Sequence, residues 1–245
     1  MHSNPLTCVG RKSADAHTEY RHRKALRLGF RPKAAEWFQM DNTKSDGAQM
    51  PLSHSHLALG WPEAQPTLSL DGVHLRPFRP QDAHAVYEAC SDAEIQRWLP
   101  VPEPWTPAAA AAYITEYADT WWASGRGAVF AVVDAQDAAI GSVDLDHVNA
   151  HSLTAEIGYW LSPAAQHAGI MTRAVNALVQ WALTDGGLHR VEFRVDPQNG
   201  ASLQLLHRVG ATFEGTLRGV FRDRTGNFRD KSVFSILQGE ATFRG

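Results

Sequence analysis

The stretch that decides the fold is Thr154–Val179, TAEIGYWLSPAAQHAGIMTRAVNALV, which begins as a strand and ends as an amphipathic helix. Up to Leu161, apolar residues alternate with Glu156, Gly158 and Trp160, which is the period of a strand. A loop between a strand end and a helix start leaves backbone N–H groups unpaired beside the positive end of the helix dipole. The stretch therefore predicts a receptor for phosphate oxygens.

Two segments of this stretch carry a family resemblance. Gln166–Met171, QHAGIM, resembles the Q/R-x-x-G-x-G/A pyrophosphate loop of the GNAT acetyltransferases, and Glu156–Leu161, EIGYWL, resembles the strand before it. Downstream, the order Asn199-Gly200-Ala201-Ser202, Val209-Gly210 and Glu214-Gly215 is similar to the N-x-x-S…G…EG pattern of the RimJ/RimL branch. The resemblance covers roughly residues 73–239. Met171 departs from it, because the family usually has Gly or Ala there.

The composition sets bounds on class. The chain has 245 residues, of which 44% are hydrophobic and 20% charged, as in an ordinary soluble protein. A formal net charge of −3 argues against a general nucleic-acid binder. We find neither an apolar run that could cross a membrane nor the apolar core of a signal peptide. Cys8 and Cys90 lack the spacing of a zinc site or a disulfide framework. These features predict a cytoplasmic protein without a bound metal, either a monomer or a homodimer.

The first 65 residues differ from the rest. Lys and Arg outnumber Asp and Glu, and apolar residues occur without a sustained period. Such a segment cannot bury enough apolar area to offset its ordering entropy. We therefore predict a disordered extension over residues 1–65 and an acetyltransferase domain over residues 66–245. The pair His54 and His56 has no third ligand nearby, so a solvated loop is favoured over a metal site.

The remaining pattern predicts the element order β-α-α-β-β-β-α-β-α-β-β, with a helix that begins at Thr106-Pro107 and a loop, Gly219–Arg229, between the last two strands. This order gives an α/β (α+β) fold with a mixed, mostly antiparallel sheet of six to seven strands and helices on both faces. The resemblance implies the GNAT fold, in which the fourth and fifth strands, here at Ile157–Leu161 and Glu192–Val195, splay apart.

The resemblance also implies acetyl-CoA as co-substrate. Its phosphates would bind the backbone of Gln166–Thr172, with the Thr172 hydroxyl as a further donor, and its pantetheine arm would pair with the open strand edge. The implied binding residues are Ile157, Gly158, Tyr159, Trp160, Leu161, Gln166, His167, Ala168, Gly169, Ile170, Met171, Thr172, Asn199 and Ser202. A free N–H near Tyr159 or Trp160 would polarise the thioester carbonyl.

Three residues are candidates for catalysis: Ser202, Glu156 and Tyr159, the last through the backbone N–H just described. Ser202 stands where RimJ/RimL enzymes have a serine near the departing sulfur, while Leu206 stands where many GNAT members have a tyrosine acid. Glu156 is a candidate base, although alternation points it opposite to Tyr159. A helix residue hydrogen-bonded to its own backbone would also explain Ser202, and whether Glu156 faces the acceptor depends on which face of the strand is buried.

The acceptor is an amine, and its identity stays open. Asp144 and Asp146 share one strand face that would attract a cationic acceptor, although a solvated strand face explains them nearly as well. Trp98 lies in the aromatic-rich segment that shapes the acceptor pocket in the family. RimL-like proteins carry a loop glutamate that is absent around Phe221, Arg222 and Asp223. Four arginines lie in the same region: Arg218, Arg222, Arg224 and Arg229. They would bind an acidic acceptor or the 3′-phosphate of CoA, or they belong to a solvated loop.

Three functions follow from these observations. The first is an N-acetyltransferase that acts by direct transfer in a ternary complex on a protein N-terminal α-amine. The second keeps the reaction and changes the acceptor to an amino sugar, polyamine or amino acid. The third is a non-catalytic acyl-CoA sensor, favoured by Met171 and by the missing tyrosine and glutamate.

Overall fold

The computed structural model describes residues 59–240. The strands are β1 (Leu68–Leu70), β2 (Val73–Pro77), β3 (Ala128–Val133), β4 (Ala139–Asn149), β5 (Thr154–Leu161), β6 (Arg190–Val195), β7 (Thr212–Arg222) and β8 (Phe228–Leu237). The α-helices are α1 (Ala83–Cys90), α2 (Ala93–Trp98), α3 (Pro107–Ala112), α4 (Asp119–Ser124), α5 (Ile170–Leu183) and α6 (Gly200–Arg208). Short 3₁₀ turns at Pro80–Asp82 and Pro163–Ala165 precede α1 and α5, and a π-helical segment, Tyr113–Ala118, joins α3 to α4.

The eight strands form one sheet in the order β1-β2-β3-β4-β5-β6-β8-β7. Neighbours are antiparallel except for β5 and β6, which are parallel and pair only from Thr154 opposite Arg190 to Glu156 opposite Glu192. Beyond Glu156, β5 continues to Leu161 without this neighbour. The predicted mixed sheet and the splay are therefore both confirmed.

Helices cover both faces of the sheet, as predicted. On one face, α5 and α6 pack on side chains such as Phe130, Val143 and Phe193. On the other, α1–α4 pack on Val129 and Ala131, which alternate with Phe130 along the fully buried strand β3. No helix among residues 59–240 is long and apolar enough to cross a bilayer.

The helical segment from Pro107 to Ser124 has clear start and stop signals. Thr106 caps it by accepting a hydrogen bond from the Ala109 N–H at 3.1 Å, and Pro107 occupies its first position. Gly125, at φ 66°, ends it in the left-handed conformation that glycine adopts without strain. This segment carries Tyr113, Tyr117, Trp121 and Trp122 into the core.

Two strand predictions need correction. The sheet has eight strands, because β1 adds a short edge pairing to β2 that its three residues are too few to indicate. The hairpin β7–β8 is also longer than predicted, so that most of the predicted loop Gly219–Arg229 belongs to strands and only 223–227 form the turn. Pairing with β8 stabilises this part of β7 although its sequence is rich in Gly and Arg.

The predicted disordered extension needs correction at its C-terminal end. Leu59 and Trp61 are buried in the core. Trp61 stacks on Trp122 with ring centroids 5.0 Å apart, and its indole N–H donates to the Gly186 carbonyl at 2.8 Å. Residues 59–65 therefore pack with the domain. Residues 1–58, with His54 and His56, lie outside the described residues.

Candidate active site

The edge of β5 next to the splay presents unpaired backbone groups. The Ser162 N–H donates to the Ile140 carbonyl at 2.8 Å, and the register of β4 with β5 is regular from Gly141 to Asp146. In an antiparallel pair this alternation directs the N–H of even-numbered residues of β5, Trp160 included, at β4. The N–H groups of Tyr159 and Leu161 point the other way, where β6 has already parted from β5. Of the two donors that the sequence left open, Tyr159 therefore faces the cleft and Trp160 does not.

The loop between β5 and α5 is shaped to present its N–H groups. His167 and Gly169 both have φ 69°, and His167, Ala168 and Gly169 are exposed. Left-handed residues turn successive N–H groups to one side, which is the geometry of an anion nest. The helical hydrogen bonds of α5 begin at Arg173 N–H to Gly169 O, 3.2 Å, so the N–H groups of Ile170, Met171 and Thr172 precede the ladder.

Side chains hold this loop in place. The Gln166 amide donates to the Leu161 carbonyl at 3.1 Å and ties the loop to the end of β5. Met171 is buried in the core, and Ile170 packs against the same core. The Met171 side chain therefore takes no space at the mouth of the loop, which removes one argument for a non-catalytic domain.

Arg173 is a residue that the sequence reasoning missed. Its guanidinium lies over the loop: Nη1 donates to the Ala168 carbonyl at 3.3 Å and would be 3.4 Å from a Cβ on Gly169. Its Nε is buried and has no hydrogen-bond partner among the described residues. A cation in the first turn of a helix opposes the helix dipole, so this arrangement suits a bound anion. Only its place in the helical pattern was visible in the sequence.

Tyr159 and Ser202 meet on the α5–α6 side of the cleft. Asn199 caps α6, since its Oδ1 accepts from the Ser202 N–H at 3.1 Å, which leaves the Asn199 Nδ2 for other partners. The Ser202 hydroxyl lies beside the Tyr159 hydroxyl and lowers its pKa, although burial raises that pKa more strongly, to about 12. The Tyr159 hydroxyl has no hydrogen-bond partner among residues 59–240, so the two oxygens are close but not hydrogen-bonded.

Acidic side chains occupy the opposite face of β5. Asp144 on β4 stands opposite Gly158, and its carboxylate fills the space above that glycine. The residue keeps part of its surface open, yet protein atoms surround its carboxylate. This burial, and then the charge of Asp146, hold the pKa of Asp144 well above its usual range.

Asp146 and Glu156 continue the acidic face, opposite each other on β4 and β5. Asp146 accepts a hydrogen bond from the Tyr117 hydroxyl at 3.2 Å and lies 3.6 Å from His147 Nδ1. The neighbouring Asp146 carboxylate raises the pKa of the histidine. Burial raises the pKa of Glu156, and Arg194, at 3.5 Å, opposes the rise. Glu156 thus has a cationic partner, whereas Asp144 forms no ion pair within residues 59–240.

Trp98 and the hairpin arginines have local partners. The Trp98 indole donates to Glu94 at 2.7 Å within α2, and Arg97 lies over its ring. Arg224 donates to the Val101 carbonyl at 2.6 Å, while Arg229 contacts Asp196 and Gln198. These contacts give Arg224 and Arg229 structural roles, so neither a solvated loop nor an acidic ligand is needed to explain them.

Comparison with known proteins agrees with this geometry. The acetyltransferase (GNAT) domain family matches residues 73–212, more than half of the chain. A ribosomal-protein-serine acetyltransferase of Escherichia coli K12 is 34% identical over 34% of this chain and 46% of its own length. The spermidine N(1)-acetyltransferase of the same strain is 25% identical over 69% of this chain and 88% of its own length. The structure of Mycobacterium smegmatis RimJ in complex with CoA-disulfide superimposes with a TM-score of 0.65, at 25% identity, and covers 76% of this chain and 92% of that one. The chain therefore belongs to the GNAT family and is an N-acetyltransferase.

Proposed function

We propose that this chain transfers the acetyl group of acetyl-CoA to a primary amine by direct transfer in a ternary complex. The observation that carries the proposal is the N–H of Tyr159, which has no backbone partner among residues 59–240. It lies at the edge of β5 where β6 has parted, near the anion nest that follows the end of this strand. A donor fixed in this way costs no reorganisation when charge develops on a carbonyl oxygen. RimJ, solved with CoA-disulfide, has a similar fold.

The residues present fit CoA. The N–H groups from His167 to Thr172, with the guanidinium of Arg173, would hold the diphosphate at the start of α5. Tyr159 and Leu161 offer main-chain groups to an extended amide-rich arm, as an added strand would require. The Asn199 Nδ2 and the enclosed Tyr159 hydroxyl add polar groups along the same path.

The two faces of β5 divide the chemistry. On the α1–α4 side, Asp144 would receive the proton of the incoming amine, because its raised pKa brings it closer to that of an amine. On the α5–α6 side, Ser202 would donate a hydrogen bond to the departing sulfur. In the plane of the strand, Tyr159 N–H would bind the carbonyl oxygen. The C–N bond then forms on one face and the C–S bond breaks on the other.

Glu156 is the weaker candidate for the base. Its partner Arg194 favours the ionised carboxylate and occupies one of its oxygens at 3.5 Å. Asp144 adjoins Gly158, the residue before the proposed carbonyl-binding N–H, whereas Glu156 lies two residues before Gly158 on β5. We assign Glu156 and Asp146 to binding a cationic acceptor.

The leading acceptor is a protein N-terminal α-amine. The name of the Escherichia coli ribosomal-protein-serine acetyltransferase supports this choice, as does the modest demand of an α-amine, whose pKa of about 8 requires little help to lose its proton. A polyamine is the second candidate, because the acidic face of Asp144, Asp146 and Glu156 suits more than one positive charge and spermidine N(1)-acetyltransferase is a relative.

A panel of amines, with release of free CoA thiol as the readout, tests the proposal. We expect turnover with acetyl-CoA, and a higher kcat/KM for peptides with a free N-terminus than for the same peptides blocked at the N-terminus. Faster turnover of spermidine than of any peptide would select the polyamine. Absence of acetyl-CoA binding by calorimetry at millimolar concentration would contradict the proposal as a whole.

A further inference from the structure

The hydroxyl of Tyr159 is a buried polar group without a partner among residues 59–240. Its oxygen is enclosed by protein and makes no hydrogen bond within the described residues. Buried hydroxyls in folded proteins are nearly always paired, because an unpaired one loses its hydration without compensation. Such a group at a ligand cleft points to a hydrogen bond that forms only when the ligand is bound.

The surroundings of this hydroxyl identify the part of the ligand. Ser202, in the first turn of α6, lies beside it. One turn further along, Leu206 is fully buried, so no polar group comes from that position. The backbone N–H of the same Tyr159 faces the splay. One residue thus presents its N–H to the cleft and its hydroxyl to the serine.

We propose that the Tyr159 hydroxyl is a positioning group for the thioester end of an acyl-CoA. It donates a hydrogen bond to the Ser202 oxygen, and the Ser202 proton is thereby directed at the sulfur. This inference rests on the proposed function. This chain has Leu206 where many GNAT members have a tyrosine. Tyr159 would instead bring a phenol near the leaving group from β5.

No proton leaves Tyr159 in this arrangement. Burial raises its pKa to about 12, above the value of about 8.5 for a thiol, so the phenol holds its proton and only donates a hydrogen bond. As the C–S bond breaks, its electron pair goes to sulfur. As the C–N bond forms, the acceptor nitrogen loses a proton to Asp144 and from there to solvent. This proton balances the negative charge left on sulfur.

The substitution Tyr159→Phe keeps the ring and removes the hydroxyl, so it tests the proposal directly. In the ligand-free protein we expect an unchanged or higher Tm, because an unpaired buried hydroxyl is removed. Calorimetry with CoA and with desulfo-CoA, which lacks the sulfur, should show a preference for CoA that shrinks about tenfold in the variant. The kcat should fall about tenfold, and Tyr159→Phe should add little in a Ser202→Ala background.

The control is Tyr87→Phe, which removes a hydroxyl from a ring stacked on Trp105 in the other hydrophobic cluster and should leave the CoA preference unchanged. A lower Tm for ligand-free Tyr159→Phe would mean that the hydroxyl is structural and would overturn the inference. An unchanged preference for CoA over desulfo-CoA would do the same. If the wild-type protein bound no CoA at all, the proposed function itself would fail.

Discussion

The carboxylate of Asp144 fills the space above Gly158 in which any other residue would carry its Cβ. A Cβ built on Gly158 would lie 2.6 Å from Asp144 Oδ1, well inside van der Waals contact. The two residues are directly opposite each other on β4 and β5. The glycine of the EIGYWL segment therefore makes room for the carboxylate that we propose as the proton acceptor.

Gly158→Ala should damage catalysis far more than stability. The added methyl group meets the end of a flexible side chain, which can turn away, so we expect a loss of only about 1 kcal/mol in the free energy of unfolding. Because Asp144 then leaves its position, kcat/KM should fall at least about tenfold. The test is a double-mutant cycle. In an Asp144→Ala background the same substitution should have little further effect, and additive losses would argue against the coupling.

Asp144→Asn should stabilise the protein increasingly as pH rises. Burial and then Asp146 raise the pKa of Asp144. Above the ordinary aspartate value of about 4, the unfolded chain releases the proton and the folded chain retains it, so the wild-type protein loses stability until pH reaches the folded-state pKa. The asparagine variant has no such loss. Thermal unfolding at several pH values measures the difference in Tm.

Asp223→Asn is the matched control of opposite sign. Its hydrogen bond from Thr225 lowers the pKa of Asp223, so this carboxylate stabilises the fold above the ordinary value and loses its effect as pH falls. That variant should lose Tm at neutral pH and match the wild type in acid. A pH-independent difference for Asp144→Asn would contradict the assignment.

Arg173→Gln should weaken binding of CoA about tenfold without weakening the ligand-free protein. The arginine lies in the first turn of α5, where a cation is unfavourable until an anion binds, and its Nε has no partner within residues 59–240. Calorimetry with CoA and pantetheine separates the phosphate contribution, since pantetheine affinity should not change. Arg208→Gln, in the last turn of α6, serves as control. Equal weakening of pantetheine would exclude a phosphate contact.

Trp61→Ala should destabilise the domain by about 3–5 kcal/mol, the usual cost of deleting a large buried aromatic side chain. Trp61 is buried against Trp122 and is hydrogen-bonded to Gly186. Glu63→Ala is the control. The Trp122 indole donates a hydrogen bond to the Glu63 backbone carbonyl at 3.0 Å, which alanine keeps, and the Glu63 side chain is exposed. Denaturant unfolding measures both. Equal stabilities would place residues 59–65 outside the cooperative unit.

Much of the fold was predictable from local patterns. Alternation marked β5, and the Thr106-Pro107 pair marked the start of α3. The edge strand β1 was missed because a three-residue strand is defined by its pairing with β2. The continuation of β7 past Gly219 was missed for the same reason: its partner β8, and not its own propensity, makes it a strand.

Most individual residues of the site were predictable from the sequence, whereas their arrangement relative to one another was less so. Alternation placed Glu156 and Tyr159 on opposite faces, but only the packing of the π-helical segment Tyr113–Ala118 shows that Asp144, Asp146 and Glu156 share the face of Tyr117. Arg173 looked like any helix residue, because its contact with the loop depends on the bend at Gly169. The unpaired state of the Tyr159 hydroxyl is likewise a property of tertiary packing.

A crystal structure of this protein with CoA tests the central claim most directly. We expect the diphosphate on the N–H groups of His167–Thr172, the pantetheine arm along the open edge of β5, and the sulfur within hydrogen-bond distance of the Ser202 hydroxyl. Binding of the nucleotide elsewhere, or closure of β6 onto Tyr159 and Leu161 in the complex, would contradict the account.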